Sequence, residues 1–64
     1  MPVRLDYRGD GCGGVNLRCD TIKTAIAYAE DRGATSLTIL AETSPVVLVR
    51  LSRPDCRFNW RNDA

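Results

Sequence analysis

Histidine is absent from this 64-residue chain, and lysine, tryptophan, phenylalanine and methionine occur once each. Without histidine the usual nucleophile–base pair cannot be assembled. The commonest zinc ligand is missing as well, and Cys12, Cys19 and Cys56 are an odd number with no CxxC pair. No structural metal is expected, and the cysteines read as free thiols in a reducing cytosol; a disulfide between two of them would need an oxidising medium. The only adjacent carboxylates, Glu30 and Asp31, fall where a helix should end in solvent, a poor setting for acid–base chemistry. No apolar run approaches the roughly 20 residues that span a bilayer, and the opening MPVRLDYR lacks a signal-peptide core. These absences lead us to expect a soluble, cytoplasmic, non-enzymatic protein with no cofactor and no membrane partner.

What is present fits one α+β domain over residues 1–64. A chain of this length buries only about 60% of its unfolded surface, so a deep cleft is not expected. The one strong helical pattern lies in residues 20–33, DTIKTAIAYAEDRG. Ile22, Ala25, Ile26 and Ala29 recur at i, i+3, i+4 and i+7 and form a narrow apolar stripe. Asp20 is placed to cap the first turn and Gly33 to end the last one. Alanines in the stripe let a neighbouring layer come close.

That layer is a sheet. Residues 2–8 alternate, with Val3, Leu5 and Tyr7 on one side and Arg4, Asp6 and Arg8 on the other. A glycine-rich turn at residues 9–14 leads into a second alternating run, 15–19, completing a hairpin. Beyond the helix, residues 37–40 and 46–51 read as strands separated by a turn at 41–45. A turn at 52–56 precedes a last strand at 57–61, and residues 62–64 should fray. Cys19 is expected in the core, and Cys12 and Cys56 in turns. The predicted order is β-β-α-β-β-β, with the helix on one face of a mostly antiparallel sheet.

Strand phase sorts a nearly neutral chain, formal charge +1, into a basic face and acidic edges. Val15, Leu17, Leu37, Ile39, Val47, Val49, Leu51, Phe58 and Trp60 are assigned to the helix side. The opposite side receives Arg4, Arg8, Arg18, Arg50, Arg57 and Arg61, with Leu40, Val46 and Leu48 as an apolar spot among them. Most of the acids fall in turns, on the helix or in the tail. Exposed arginine on a strand is ordinary, since its stem covers sheet surface and its charge opposes edge aggregation. An apolar centre rimmed by guanidinium groups is closer to a protein-docking surface.

Gly9, Gly11 and Gly14 formally match GxGxxG after a strand. The dinucleotide fingerprint requires a helix directly afterwards, whereas a strand is expected here, so a hairpin loop is the better reading. Phe58 and Trp60 could stack on bases, but at helix-facing positions they serve better as core bulk.

The run from Thr21 to Trp60, an alanine-rich helix followed by TSLTIL, VVLVRL and RFNW, resembles small phage-encoded anti-CRISPR proteins that inhibit type I surveillance complexes. The resemblance is one of element order and pattern. It implies a stoichiometric partner in a bacterial cytoplasm, a protein or a ribonucleoprotein complex. The basic face departs from the acidic members that mimic DNA. The resemblance carries over no residue by position; strand phase places the expected partner-binding residues at Arg4, Arg8, Arg18, Leu40, Leu48, Arg50, Arg57 and Arg61. The alternative is a small nucleic-acid-binding module that uses the arginines on phosphates. A homodimer through Leu40, Leu48 and an exposed edge strand is compatible with either.

Overall fold

The computed structural model describes residues 1–63, folded as one helix on a five-stranded antiparallel sheet. Strands β1 (Val3–Gly9) and β2 (Cys12–Cys19) precede helix α1 (Ile22–Asp31). Strands β3 (Ala34–Ala41), β4 (Val47–Ser52) and the short β5 (Arg61–Asn62) follow it. Spatially the sheet runs β2-β1-β3-β4-β5. Because β2 and β3 flank β1, the connection carrying α1 must pass over the middle of the sheet. That path presses the alanine stripe onto the inward residues of β1 and β3.

Ala25, Ala29 and Ala34 are wholly buried against Val3, Leu5, Leu37 and Ile39, with Cys19 closing the edge. Full burial of each large aliphatic side chain contributes about 1.5–3 kcal/mol. Tyr7, Leu17, Ile26, Tyr28, Val49, Leu51 and Trp60 pack around this centre half-buried. The Tyr7 and Tyr28 rings meet edge to face at 5.9 Å. Gly14 makes room for Tyr7: a Cβ there would stand 2.9 Å from the ring.

Helix ends and hairpin depart from the sequence reading in detail. Thr21 caps the helix, its Oγ1 accepting the Thr24 N–H at 3.0 Å. Asp20 lies one residue too early to reach that amide. Ile22 therefore falls in the first, solvent-facing turn and leaves the stripe, being exposed. Gly33 does end the helix, with φ +72° and its N–H donated to Glu30 O. The glycine-rich stretch is not one long turn, since only Asp10 and Gly11 lie between the strands. Cys12 opens β2, half-buried, with its thiol donating to Arg32 O at 3.3 Å. Cys56 is exposed, and all three cysteines are free.

Two register shifts redirect side chains. Between Leu5 and Tyr7, β2 carries one extra residue, and Asn16 takes φ 56° there. Val15 is thrown outward, 71% exposed, instead of joining the core. Between Ile39 and Leu40 the shift falls in β4: Val49 faces Ile39, but Val47 faces Leu40. Val47 and Leu48 thus share one neighbour, and Val47 leaves the helix side.

The C-terminal segment is mostly loop. Strand β3 begins earlier than its apolar core suggests, because Arg53 N–H donates to Thr35 O and Thr35 Oγ1 to Arg8 O. The predicted strand at 57–61 shrinks to Arg61 and Asn62. Asp55 Oδ1 takes the backbone N–H of Arg57 at 2.8 Å and folds the chain into a turn first. Phe58 is consequently exposed and not core. Trp60 stays on the helix side, where Nε1 donates to Glu30 Oε2 at 3.0 Å and the Arg53 guanidinium lies 4.1 Å from the ring centre. Asn62 is ordered in β5 and Asp63 N–H donates to Arg50 O, so neither frays as expected; Ala64 lies outside the described residues.

Candidate binding surface

Residues opposite one another on adjacent strands project from the same side of a sheet. The register therefore lays the face away from α1 out in rows. Arg18, Arg4 and Leu40 form one row with Val47 and Leu48. Asp6, Thr38 and Arg50 form the next. Arg8, Ser36, Ser52 and Arg61 form the third. Seven of the eight residues singled out in the sequence thus share this face: Arg4, Arg8, Arg18, Leu40, Leu48, Arg50 and Arg61. Arg57 does not, because it sits in the turn before β5.

The arginines are not equivalent. Arg4 is half-buried and committed to the fold: Nε donates to Ala41 O at 3.0 Å, Nη2 to Ser44 O at 2.6 Å and Nη1 to Asn16 Oδ1 at 3.1 Å. It pins both the turn after β3 and the bulge in β2, and leaves no fork for a partner. Arg18 pairs with Glu42 at 2.9 Å. Arg57 pairs with Asp55 at 3.1 Å, and its side-chain and backbone donors hold that carboxyl below its usual range. Among the described residues, the exposed guanidinium groups of Arg8, Arg50 and Arg61 have no side-chain partner. A free guanidinium fork takes a carboxylate or a phosphate bidentately. Between these three lie the half-buried Thr38, Ser36 and Ser52.

Beside them runs an apolar strip. Val47 and Leu48 are 41% and 38% exposed, next to the half-buried Leu40. Val46, expected on this face, lies before β4 opposite Ala41, where the bulge has inverted the phase. A depression of about 320 Å³, lined by Val47, Leu48, Val49, Arg50 and Asn62, opens at the same place. Sequence phase assigns Val47 to the core, and the bulge opposite Leu40 reverses it. The one signal in the sequence was that VVLVRL is apolar in both phases, more than a strand with one buried face requires.

Among the described residues, no group of three or more acidic, cysteine or histidine side chains converges to hold a metal, and no helix is long and apolar enough to cross a membrane. Comparison with family models, with curated proteins and with solved structures found no match.

Proposed function

We propose that this chain is a non-enzymatic binding protein that docks its open sheet face on a bacterial protein or protein–RNA complex, in the manner of the phage-encoded inhibitors of type I surveillance complexes that its element order resembles. The observation that carries the reading is the pair Val47 and Leu48, exposed in consecutive positions beside Arg50, which has no ion-pair partner among the described residues. Protein interfaces concentrate their energy in such a desolvated apolar centre, with charged residues on the rim setting orientation and partner choice. Arg8 and Arg61 supply further rim charge, whereas Arg4 supports the face from within.

A second reading has its own observation. Arg8, Arg50 and Arg61 frame a patch of serine and threonine hydroxyls, a surface suited to a phosphate backbone. On nucleic acid alone, however, the apolar strip has no task.

Affinity capture from bacterial lysate, with and without nuclease, tests the choice. A protein that is retained after nuclease by wild type, and lost with Leu48→Asp or Arg50→Glu, is the expected result. Retention that vanishes with nuclease favours the phosphate reading. Capture unchanged in both variants overturns the assignment of this face.

A further inference from the structure

One row of the open face carries cations and hydroxyls but no acid. It runs Arg8, Ser36, Ser52, Arg61 across β1, β3, β4 and β5. On the far side of Arg8 the row ends at Gly13, so β2 adds no side chain there. Both guanidinium groups are exposed, and neither has an ion-pair or hydrogen-bond partner among the described residues. The half-buried hydroxyls of Ser36 and Ser52 lie between them, equally without a partner among those residues. The acids of this face, Asp6 and Asp63, fall in the row of Thr38 and Arg50. Asp6 already receives the Asn16 N–H at 2.8 Å. Neighbouring strands stand about 4.8 Å apart, so three intervals set the Arg8 and Arg61 backbones roughly 14 Å apart. Their long side chains can lean inward over the serines.

Building on the sheet-face reading, we infer that Arg8, Ser36, Ser52 and Arg61 form a site for the phosphoryl group of a phosphorylated serine or threonine on a protein partner. Two guanidinium forks with two hydroxyls between them present more donors than the two oxygens of a carboxylate accept. A phosphoryl group brings three acceptor oxygens and close to two negative charges, and its bonds to arginine are charge-assisted. The same face also places the rest of the partner segment. Leu40 and Leu48 stand four residues along their strands from Ser36 and Ser52, about 13 Å away at the rise of a strand. An extended partner chain sets its own residues i and i+4 on one side at that distance. Its phosphoryl group and an apolar side chain four residues away therefore seat together. Single-stranded nucleic acid fits less well, because it is held by stacking on aromatic rings as well as by cations. Tyr7, Tyr28 and Trp60 pack on the helix side, and Phe58 lies in the turn before β5.

The test uses the whole protein and a capped peptide with central phosphoserine, leucine four residues away on either side, and threonine between. Its counterparts carry serine or glutamate at the centre, or serine in place of both leucines; a single-stranded oligonucleotide is titrated beside them. Binding is followed by fluorescence anisotropy and by amide shifts in NMR. Expected are shifts at Arg8, Ser36, Ser52 and Arg61 that extend to Leu40 and Leu48. Binding should be about tenfold weaker for each counterpart peptide, and for the phosphopeptide with Arg8→Gln or Arg61→Gln. Arg57→Gln, off this face, should change nothing. Equal binding of the serine or glutamate peptide, shifts centred elsewhere, or no binding of the phosphopeptide overturns the site. So does an oligonucleotide that binds more tightly and loses affinity with the same two variants. Equal binding of the leucine-free peptide overturns the placement of the segment. Lysate capture separates this inference from the reading beneath it. A nuclease-resistant partner that phosphatase treatment releases supports the site. If phosphatase leaves that partner bound while Leu48→Asp loses it, the site falls and the sheet-face reading stands. If Leu48→Asp also retains it, both fall.

Discussion

Arg4 Nη2 donates to the main-chain oxygen of Ser44 at 2.6 Å, so the first strand of the sheet holds the turn that links the third to the fourth. The same guanidinium also reaches Ala41 O and Asn16 Oδ1. Arg4→Ala should destabilise the domain by about 1.5–3 kcal/mol, the scale of hydrogen bonds to a charged group. Arg4→Lys should restore little, because an ammonium cannot reproduce the fork. Arg50→Ala, with no side-chain partner to lose, should stay within about 0.5 kcal/mol of wild type. Urea denaturation of the three variants checks the contrast.

Ala25 and Ala29 have no exposed surface and lie directly on the sheet. Ala25→Arg or Ala29→Arg forces an unpaired charge into that layer and should unfold the domain. Circular dichroism with a melting curve reads the outcome. An unchanged melting temperature would contradict the packing described.

Cysteine replacement should be mild. Cys12→Ser keeps a donor for Arg32 O, Cys56 is exposed, and neither is in a disulfide. The double variant should lose less than about 1 kcal/mol, against the 2–5 kcal/mol typical of removing a native disulfide. Denaturation under reducing and non-reducing conditions should give the same midpoint.

Asp55 gives a pH signature. Donors from the Arg57 side chain, then its backbone, depress the Asp55 carboxyl in the folded state. A group depressed on folding stabilises above its unfolded pKa, about 3.9 for aspartate, and loses that contribution as pH falls through the folded value. Asp55→Asn should therefore flatten the acid limb of a stability-against-pH curve and leave the neutral region's slope unchanged. Both residues of the pair are solvent-accessible, so added salt should shrink the difference.

Salt should also separate the two classes of partner. Phosphate contacts by Arg8, Arg50 and Arg61 predict a log–log slope near −0.9 for each phosphate neutralised on duplex DNA, or about −0.7 on a single strand. An interface centred on Val47 and Leu48 predicts a shallower slope, and loss of affinity on Leu48→Asp. Arg18→Glu should matter less than Arg50→Glu, because Arg18 already faces Glu42. Titrations at several ionic strengths settle the order.

Much of the scaffold was legible from local pattern. The stripe at Ala25, Ile26 and Ala29 and the alternation of Val3, Leu5 and Tyr7 gave the layers, because period reports directly which side is buried. Alternation also put most of the arginines on one face. It could not reveal bulges: an extra residue at Asn16 or at Val47 inverts the phase without altering composition. Nor could it show that Arg4 is spent on main-chain oxygens of a distant turn, since every residue supplies such an acceptor. Phe58 and Trp60 look alike in sequence, but only the indole carries the N–H that Glu30 receives.

The placement of β1 between β2 and β3 sets the order in which the sheet is completed during synthesis. The hairpin of β1 and β2 leaves the ribosome first, but the other side of β1 must wait for the whole of β3, whose far end Ala41 pairs with Val3. Until then Val3 and Leu5 lack Leu37 and Ile39, and the alanine face of α1 has only half of its bed. Nascent chains arrested before residue 41 clears the exit tunnel should accordingly remain protease-sensitive. Protection should rise sharply once β3 can pair with β1, a contact of high sequence separation, and be completed as Val49, Leu51 and Trp60 follow.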